Sequence, residues 1–155
     1  MDSKKIEVLQ KTFLALDRAM GLHARNEATC CGVTLPQCHV IMEIGLFGRA
    51  SVRDLSGVLG LDKSTLSRTI DSLVEAGLVD RTLDSEDRRY VAVSLTKKGM
   101  KSFERINSTW HLFCGEMMKK IPLKKHQQVI EAISLIMNAL MANDFRKKFQ
   151  KTCSG

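Results

Sequence analysis

The chain has 155 residues, 44% hydrophobic but only 5% aromatic, with a formal net charge of +7. That length suits one compact domain or one intertwined protomer with a core of Leu, Ile, Val, Met and Ala, and the charge permits nucleic acid or an acidic membrane surface as partner without requiring either. No run of about 18 or more apolar residues is present, which excludes a membrane-spanning helix, and MDSKKIEVLQ turns amphipathic at once instead of forming a secretory signal, so a cytoplasmic location is expected.

Ile6, Leu9, Phe13, Leu16 and Met20 recur at steps of three and four, which predicts a first helix from about Lys4 to Arg25. The run Thr29-Cys30-Cys31-Gly32-Val33 is expected to break it. Thr34-Leu35-Pro36-Gln37 then opens a second helix reaching about Leu46. Thr34 can cap it, Gln37 can bond back to the cap, and Pro36 sits where its missing N–H costs nothing. Two short helices follow. Ser51-Val52-Arg53-Asp54 opens the first, with Val52, Leu55, Val58 and Leu59 inward and Gly60 at its end. Asp62 caps the second, from Lys63 to about Ala76, with Leu66, Ile70, Leu73 and Val74 inward and Gly77 closing it. Leu78 to Thr82 and Tyr90 to Leu95 read as the strands of a hairpin, Val91, Val93 and Leu95 alternating on one face. Between them lies a charged loop, Leu83-Asp84-Ser85-Glu86-Asp87-Arg88-Arg89. From Thr96 the chain returns to helix, with Phe103, Ile106, Trp110, Phe113 and Met117 on one stripe. Pro122 breaks it. His126, Ile130, Ile133, Met137 and Leu140 stripe a last helix, and the basic tail from Arg146 is expected to fray. No internal repeat or second domain is visible.

Two short helices joined by a tight turn and followed by a charged hairpin make a winged helix-turn-helix. The fold class is therefore mainly α with a small β-hairpin wing, flanked by long N- and C-terminal helices. Outward on the second short helix stand Lys63, Ser64, Thr65, Ser67, Arg68 and Thr69. These hydroxyls and cations suit phosphates and base edges in a DNA major groove. A merely solvated helix more often alternates Glu with Lys, whereas here no acid stands between Asp62 and Asp71. Arg88 and Arg89 at the hairpin tip suit a narrow minor groove of negative potential, and Asp87 can hold Arg89 through a charge-assisted pair. Alone, that loop reads as an ordinary solvated turn; beside the hydroxyl-rich helix the DNA reading prevails. The three apolar-striped helices flank a domain of only about 45 residues, too small to cover them all. A partner subunit is expected to cover them, an intramolecular bundle being the other arrangement.

Three stretches carry a family resemblance: Leu61-Asp62-Lys63-Ser64-Thr65-Leu66-Ser67-Arg68, Gly77-Leu78-Val79-Asp80-Arg81, and Asp84-Ser85-Glu86-Asp87-Arg88-Arg89-Tyr90 continuing to Leu95-Thr96-Lys97-Lys98-Gly99. They resemble the MarR family, and the likeness extends over essentially the whole chain. The resemblance implies a transcriptional regulator, usually a repressor. It implies a homodimer built by helices at 4–33 and 100–147 around a DNA-binding region at 34–99, reading a near-palindromic operator in double-stranded DNA. By position it implies Ser64, Thr65, Ser67 and Arg68 in the major groove and Arg89, with Arg88, in the minor groove. It also implies a ligand or redox switch where the dimerisation and DNA-binding parts meet.

Five cysteines, an odd count with Cys30 and Cys31 adjacent, argue against a disulfide framework. Cys30, Cys31, Cys38, His39, His111 and Cys114 are the candidate sensor residues for metal or thiol chemistry. His111 and Cys114 share a helix face, and thiolates with imidazoles suit Zn(II), Cu(I) or trivalent arsenic. The bland reading is that Cys38 and Cys114 are core and His111 is a surface histidine. No CxxC or HxxxH motif is present. Pro36-Gln37-Cys38-His39 resembles the second-helix histidine of the family's zinc-sensing branch, but a second histidine one turn after His111 is missing. No motif requires a cofactor, and an organic ligand in the same cleft is the other effector class. No nucleophile–base pairing, phosphate-binding Gly loop or complete metal-protease motif is present, so an enzyme is not expected. The alternatives are a thiol-based redox enzyme using Cys30 or Cys31, and an architectural DNA-binding protein without a switch.

Overall fold

Capping chemistry sets most of the element boundaries. The computed structural model describes residues 2–83 and 91–142, without the side chains of 27–30 and 83. The elements are α1 (Ser3–Cys30), α2 (Leu35–Phe47), β1 (Ala50–Ser51), α3 (Val52–Leu59), α4 (Lys63–Glu75), β2 (Val79–Leu83), β3 (Val91–Leu95), α5 (Lys97–Lys119), a 3-10 turn at Leu123–Lys125 and α6 (His126–Met141). Thr34 caps α2 through the full reciprocal box, its hydroxyl accepting from Gln37 N while Gln37 accepts from Thr34 N. Ser51 caps α3 and Asp62 caps α4. The first helix runs on past Arg25 to Cys30, and the expected break falls inside the Thr29–Val33 run. Gly32, at φ +69°, supplies the left-handed residue that ends the helix.

The described residues fall into two compact units that divide after Trp110, within α5. In the first, a three-stranded antiparallel sheet has the order β1-β3-β2. Ala50 pairs with Val93 and Ser51 with Ala92, while Val79 pairs with Leu95 and Leu83 with Val91. β1 has only two residues, too few for a period-of-two pattern to show in the sequence. It makes β3 the central strand, so Ala92 and Val93 are both buried although they point to opposite faces, and Val91 at the far end is exposed. The core gathers Val40, Ile41 and Ile44 of α2, Leu55 of α3, Leu66, Ile70 and Leu73 of α4, Val79, Val93 and Ile106. Two residues expected inward are not. Val58 is 45% exposed, one turn from Leu55 on the outer flank of α3, and Val74 is exposed at the edge of the Leu66–Ile70–Leu73 stripe.

Glycine appears where backbones nearly touch. A Cβ at Gly99 would lie 1.9 Å from the Leu78 carbonyl oxygen, and one at Gly45 would run into the Phe103 ring. The Thr96 hydroxyl donates to Gly77 O at 2.7 Å and accepts from Gly99 N at 3.0 Å, so the start of α5 is seated on the turn that ends α4.

In the second unit, the later turns of α5 are joined to α6 by His126. Its Nε2 lies 3.0 Å from Met118 O and 2.9 Å from Ile121 O, and donates to these carbonyls. No residue of α6 is buried: Ile130, Ile133, Met137 and Leu140 all remain exposed, and Leu135 is 70% exposed.

Candidate nucleic-acid interface

The turn between α3 and α4 is tight because Gly60 adopts the left-handed conformation, φ 64° and ψ 19°, and Ser56 donates to Leu61 O at 2.8 Å. α4 then presents two unlike faces. Leu66, Ile70 and Leu73 are buried, while Lys63, Ser64, Thr65 and Arg68 are exposed and Ser67 is half-buried. Lys63 and Ser67 also line an open cleft of 620 Å³ with Val52 and Arg53. Arg53 thus joins the basic face from α3, an assignment the sequence did not give because Arg53 looked only like part of a capping sequence.

Asp62 organises the start of α4. Its Oδ1 accepts from Thr65 N at 2.9 Å and from the Ser64 hydroxyl, and its Oδ2 accepts from the Thr65 hydroxyl. The Ser64 hydroxyl, then the Thr65 hydroxyl and N–H, hold the Asp62 carboxyl well below the usual carboxylate range. It is therefore an anion at any ordinary pH.

Further contacts fix α4 along its length. Gln37 Nε2 on α2 donates to Ser72 Oγ at 2.6 Å. Arg81 on β2 pairs with Asp71 at 2.6 Å and reaches Ser67 O at 3.4 Å, tying the base of the wing to α4. Lys98 Nζ donates to Ala76 O at 2.8 Å. Asp71 and Arg81 are positioning residues that the sequence reading missed, as it missed the bond from the capping residue Gln37 to Ser72, because the partners lie in other elements. Arg88, Arg89 and Asp87 lie outside the described residues.

The six Cys and His candidates are placed as follows. Cys38 is 2% exposed in the core, and Cys31 is half-buried against it. The Cys30 side chain lies outside the described residues. His39 is exposed on α2. His111 and Cys114 are exposed on the later turns of α5, in the second unit. Among the described residues, no group of three or more His, Cys, Asp or Glu side chains gathers to hold a metal ion. His39 instead lines a cavity of 660 Å³ with Leu35, with Arg18, Met20, Leu22 and Arg25 of α1, and with Trp110. The His23 ring meets Trp110 edge-on at its wall, centroids 4.7 Å apart and planes at 90°.

The sequence model of the MarR family matches residues 32–89. The chain is 30% identical over 120 residues to the HTH-type transcriptional regulator YfiV of Bacillus subtilis (strain 168), covering 77% of this chain and 75% of that protein. Its fold is similar to that of a mutant MarR from E. coli complexed with operator DNA, with a TM-score of 0.71 at 21% identity over 88% of this chain and 99% of that one. It is also similar to NadR in complex with 4-hydroxyphenylacetate, with a TM-score of 0.69 at 21% identity over 88% of this chain and 93% of that one. No described helix is long and apolar enough to cross a membrane.

Proposed function

The chain belongs to the MarR family of DNA-binding transcriptional regulators, and we propose that it works as a homodimeric repressor released from its operator by a small organic anion. The observation that carries this reading is α4, whose hydroxyls and cations are exposed on one face while its apolar stripe is buried on the other. Lys63, Ser64, Thr65, Ser67 and Arg68 are the proposed groove contacts, with Arg53 on an adjacent phosphate. Arg88 and Arg89 are proposed for the minor groove from the sequence alone. The proposed dimerisation segments, 4–33 and 100–147, present apolar side chains to solvent, among them Ile6, Val8 and Leu9 on α1 and Ile130 and Ile133 on α6. A second copy burying them accounts for apolar surface that a soluble monomer rarely shows.

The cavity favours an organic effector over the thiol or metal switch. Arg18, Arg25 and His39 offer charge or hydrogen bonds to a carboxylate and outweigh the one acid of the lining, Asp17, while Met20, Leu22, Leu35 and Trp110 offer an apolar wall to its body. Of the thiol set, Cys38 is packed in the core. NadR's 4-hydroxyphenylacetate has this combination of aromatic body and carboxylate, which makes it a suitable probe. Leu35 and His39 flank Gln37, which ties α2 to α4, so an occupant that moves α2 moves the reading helix with it.

The test begins by selecting binding sites from a random-sequence duplex library with the full chain. The anisotropy of a labelled selected site is then followed as 4-hydroxyphenylacetate is added, for wild type and Arg18→Ala. A near-palindromic site released by the anion, with release weakened in Arg18→Ala, is the expected result. A library that yields no preferred sequence overturns the regulator reading. A preferred site indifferent to the anion overturns the effector.

A further inference from the structure

We infer that Asp62 sets which bases α4 can read, by turning the hydroxyls of Ser64 and Thr65 into hydrogen-bond acceptors; the inference rests on the DNA reading above. A carboxylate can only accept hydrogen bonds. Both hydroxyls therefore spend their single proton on Asp62, Ser64 on Oδ1 and Thr65 on Oδ2, while Thr65 N–H fixes the carboxylate in place. What remains on the exposed side of each hydroxyl is lone pairs.

That polarity restricts what the pair can touch. Phosphate oxygens are acceptors, so neither hydroxyl can bind the backbone while it is held by Asp62. In the major groove, guanine offers O6 and N7 and thymine offers O4, all acceptors; only the amino groups of adenine and cytosine donate without the help of a neighbouring group. Ser64 and Thr65 are thus matched to adenine and cytosine. The Asp62 charge reinforces the choice, because it repels the same acceptor atoms that the hydroxyls cannot satisfy. Its depressed pKa keeps that charge in place throughout the pH range in which DNA is bound. Lys63 and Arg68, which can only donate, are left to take guanine and phosphate. The first turns of α4 therefore carry fixed acceptors beside fixed donors, whereas hydroxyls free of Asp62 could play either part.

Asp62→Asn separates this role from capping, because Asn caps helices as well as Asp does. With the amide oxygen retained on the Thr65 N–H, the NH2 group faces the Thr65 hydroxyl. That hydroxyl must then accept from the amide and turn its own proton outward. Site selection from a random-sequence duplex library with the full-length Asp62→Asn and Thr65→Val variants tests the inference. In Asp62→Asn, one contacted position per half-site is expected to shift from adenine or cytosine toward guanine or thymine by about fivefold, the scale of one neutral hydrogen bond. In Thr65→Val the preference is expected to vanish at that same position. If Asp62→Asn selects the wild-type sequence with affinity changed equally at every position, Asp62 is only a cap and a charge, and the inference is overturned. It is overturned equally if Thr65→Val weakens all sequences uniformly, which marks a phosphate contact. These outcomes leave the regulator reading standing, whereas a wild type that selects no sequence removes both.

Discussion

At Gly99 the chain leaves no room for a side chain. The Leu78 carbonyl occupies the place where a Cβ would go, and backbone cannot rotate aside as the end of a long side chain can. Gly99→Ala is expected to cost about 1–3 kcal/mol, the usual range for overpacking, read as a lowered Tm in thermal melts. The same variant should weaken the Thr96 contacts to Gly77 and Gly99. A Tm within error of wild type would show that α5 shifts at no cost. The sequence contains this glycine as part of a family motif but not its reason, since the neighbour it makes room for is Leu78. Capping residues were the opposite case. Thr34, Ser51 and Asp62 each act within three residues of themselves, so their partners could be read directly. Arg81, and Gln37 in its bond to Ser72, act across elements, and nothing in their spacing announces it.

Among the elements, α4 is held from several sides: by Gln37 of α2 at Ser72, by Arg81 of β2 at Asp71, and by Thr96 and Lys98 at the α4–β2 turn. Such a helix moves as a rigid piece with its neighbours. The link to α2 can be cut alone, because Ser72→Ala leaves the Thr34–Gln37 box intact. Its expected effect on stability is about 0.5–1.5 kcal/mol, as for one ordinary hydrogen bond. Its larger expected effect is on release: DNA affinity without effector stays within a few fold, while 4-hydroxyphenylacetate displaces DNA less effectively in an anisotropy titration. Equal displacement in Ser72→Ala and wild type would route the coupling elsewhere. Helices α2, α3 and α4 and the paired strands were legible because apolar period, caps and closing glycines agreed with one another. β1 and the last turns of α1 were not. β1 is too short to have a period, and the apolar stripe of α1 fades near Arg25 although the helix continues to the break at Gly32.

For the whole molecule, the unanswered need is cover for apolar side chains. Val8 on α1 is 65% exposed, and α6 buries none of its own residues. Replacing Ile133 and Met137 together by Asp would place two charges on the face proposed to meet a second copy, where burial of unpaired charge is costly. Sedimentation is expected to show a monomer, and affinity for a two-half-site operator should fall by more than tenfold, since each protomer would then bind alone. A dimer of normal affinity would move the interface off α6. The family and its winged helix were visible in the sequence through the stretches around Asp62, Gly77 and Leu95. The cavity was not, because its lining comes from residues as far apart as Arg18, His39 and Trp110, with no spacing that marks them as a set.

Trp110 is the chain's only tryptophan, and it stands in the wall of that cavity with the His23 ring set edge-on against it. The protein therefore carries its own optical gauge. Indole emission excited at the red edge, where tyrosine does not absorb, comes from this one place. An occupant of the cavity alters the polarity and quenching around the ring, so filling of the cavity can be followed in unlabelled protein with no DNA in the cuvette. Filling and release then become two separately readable signals.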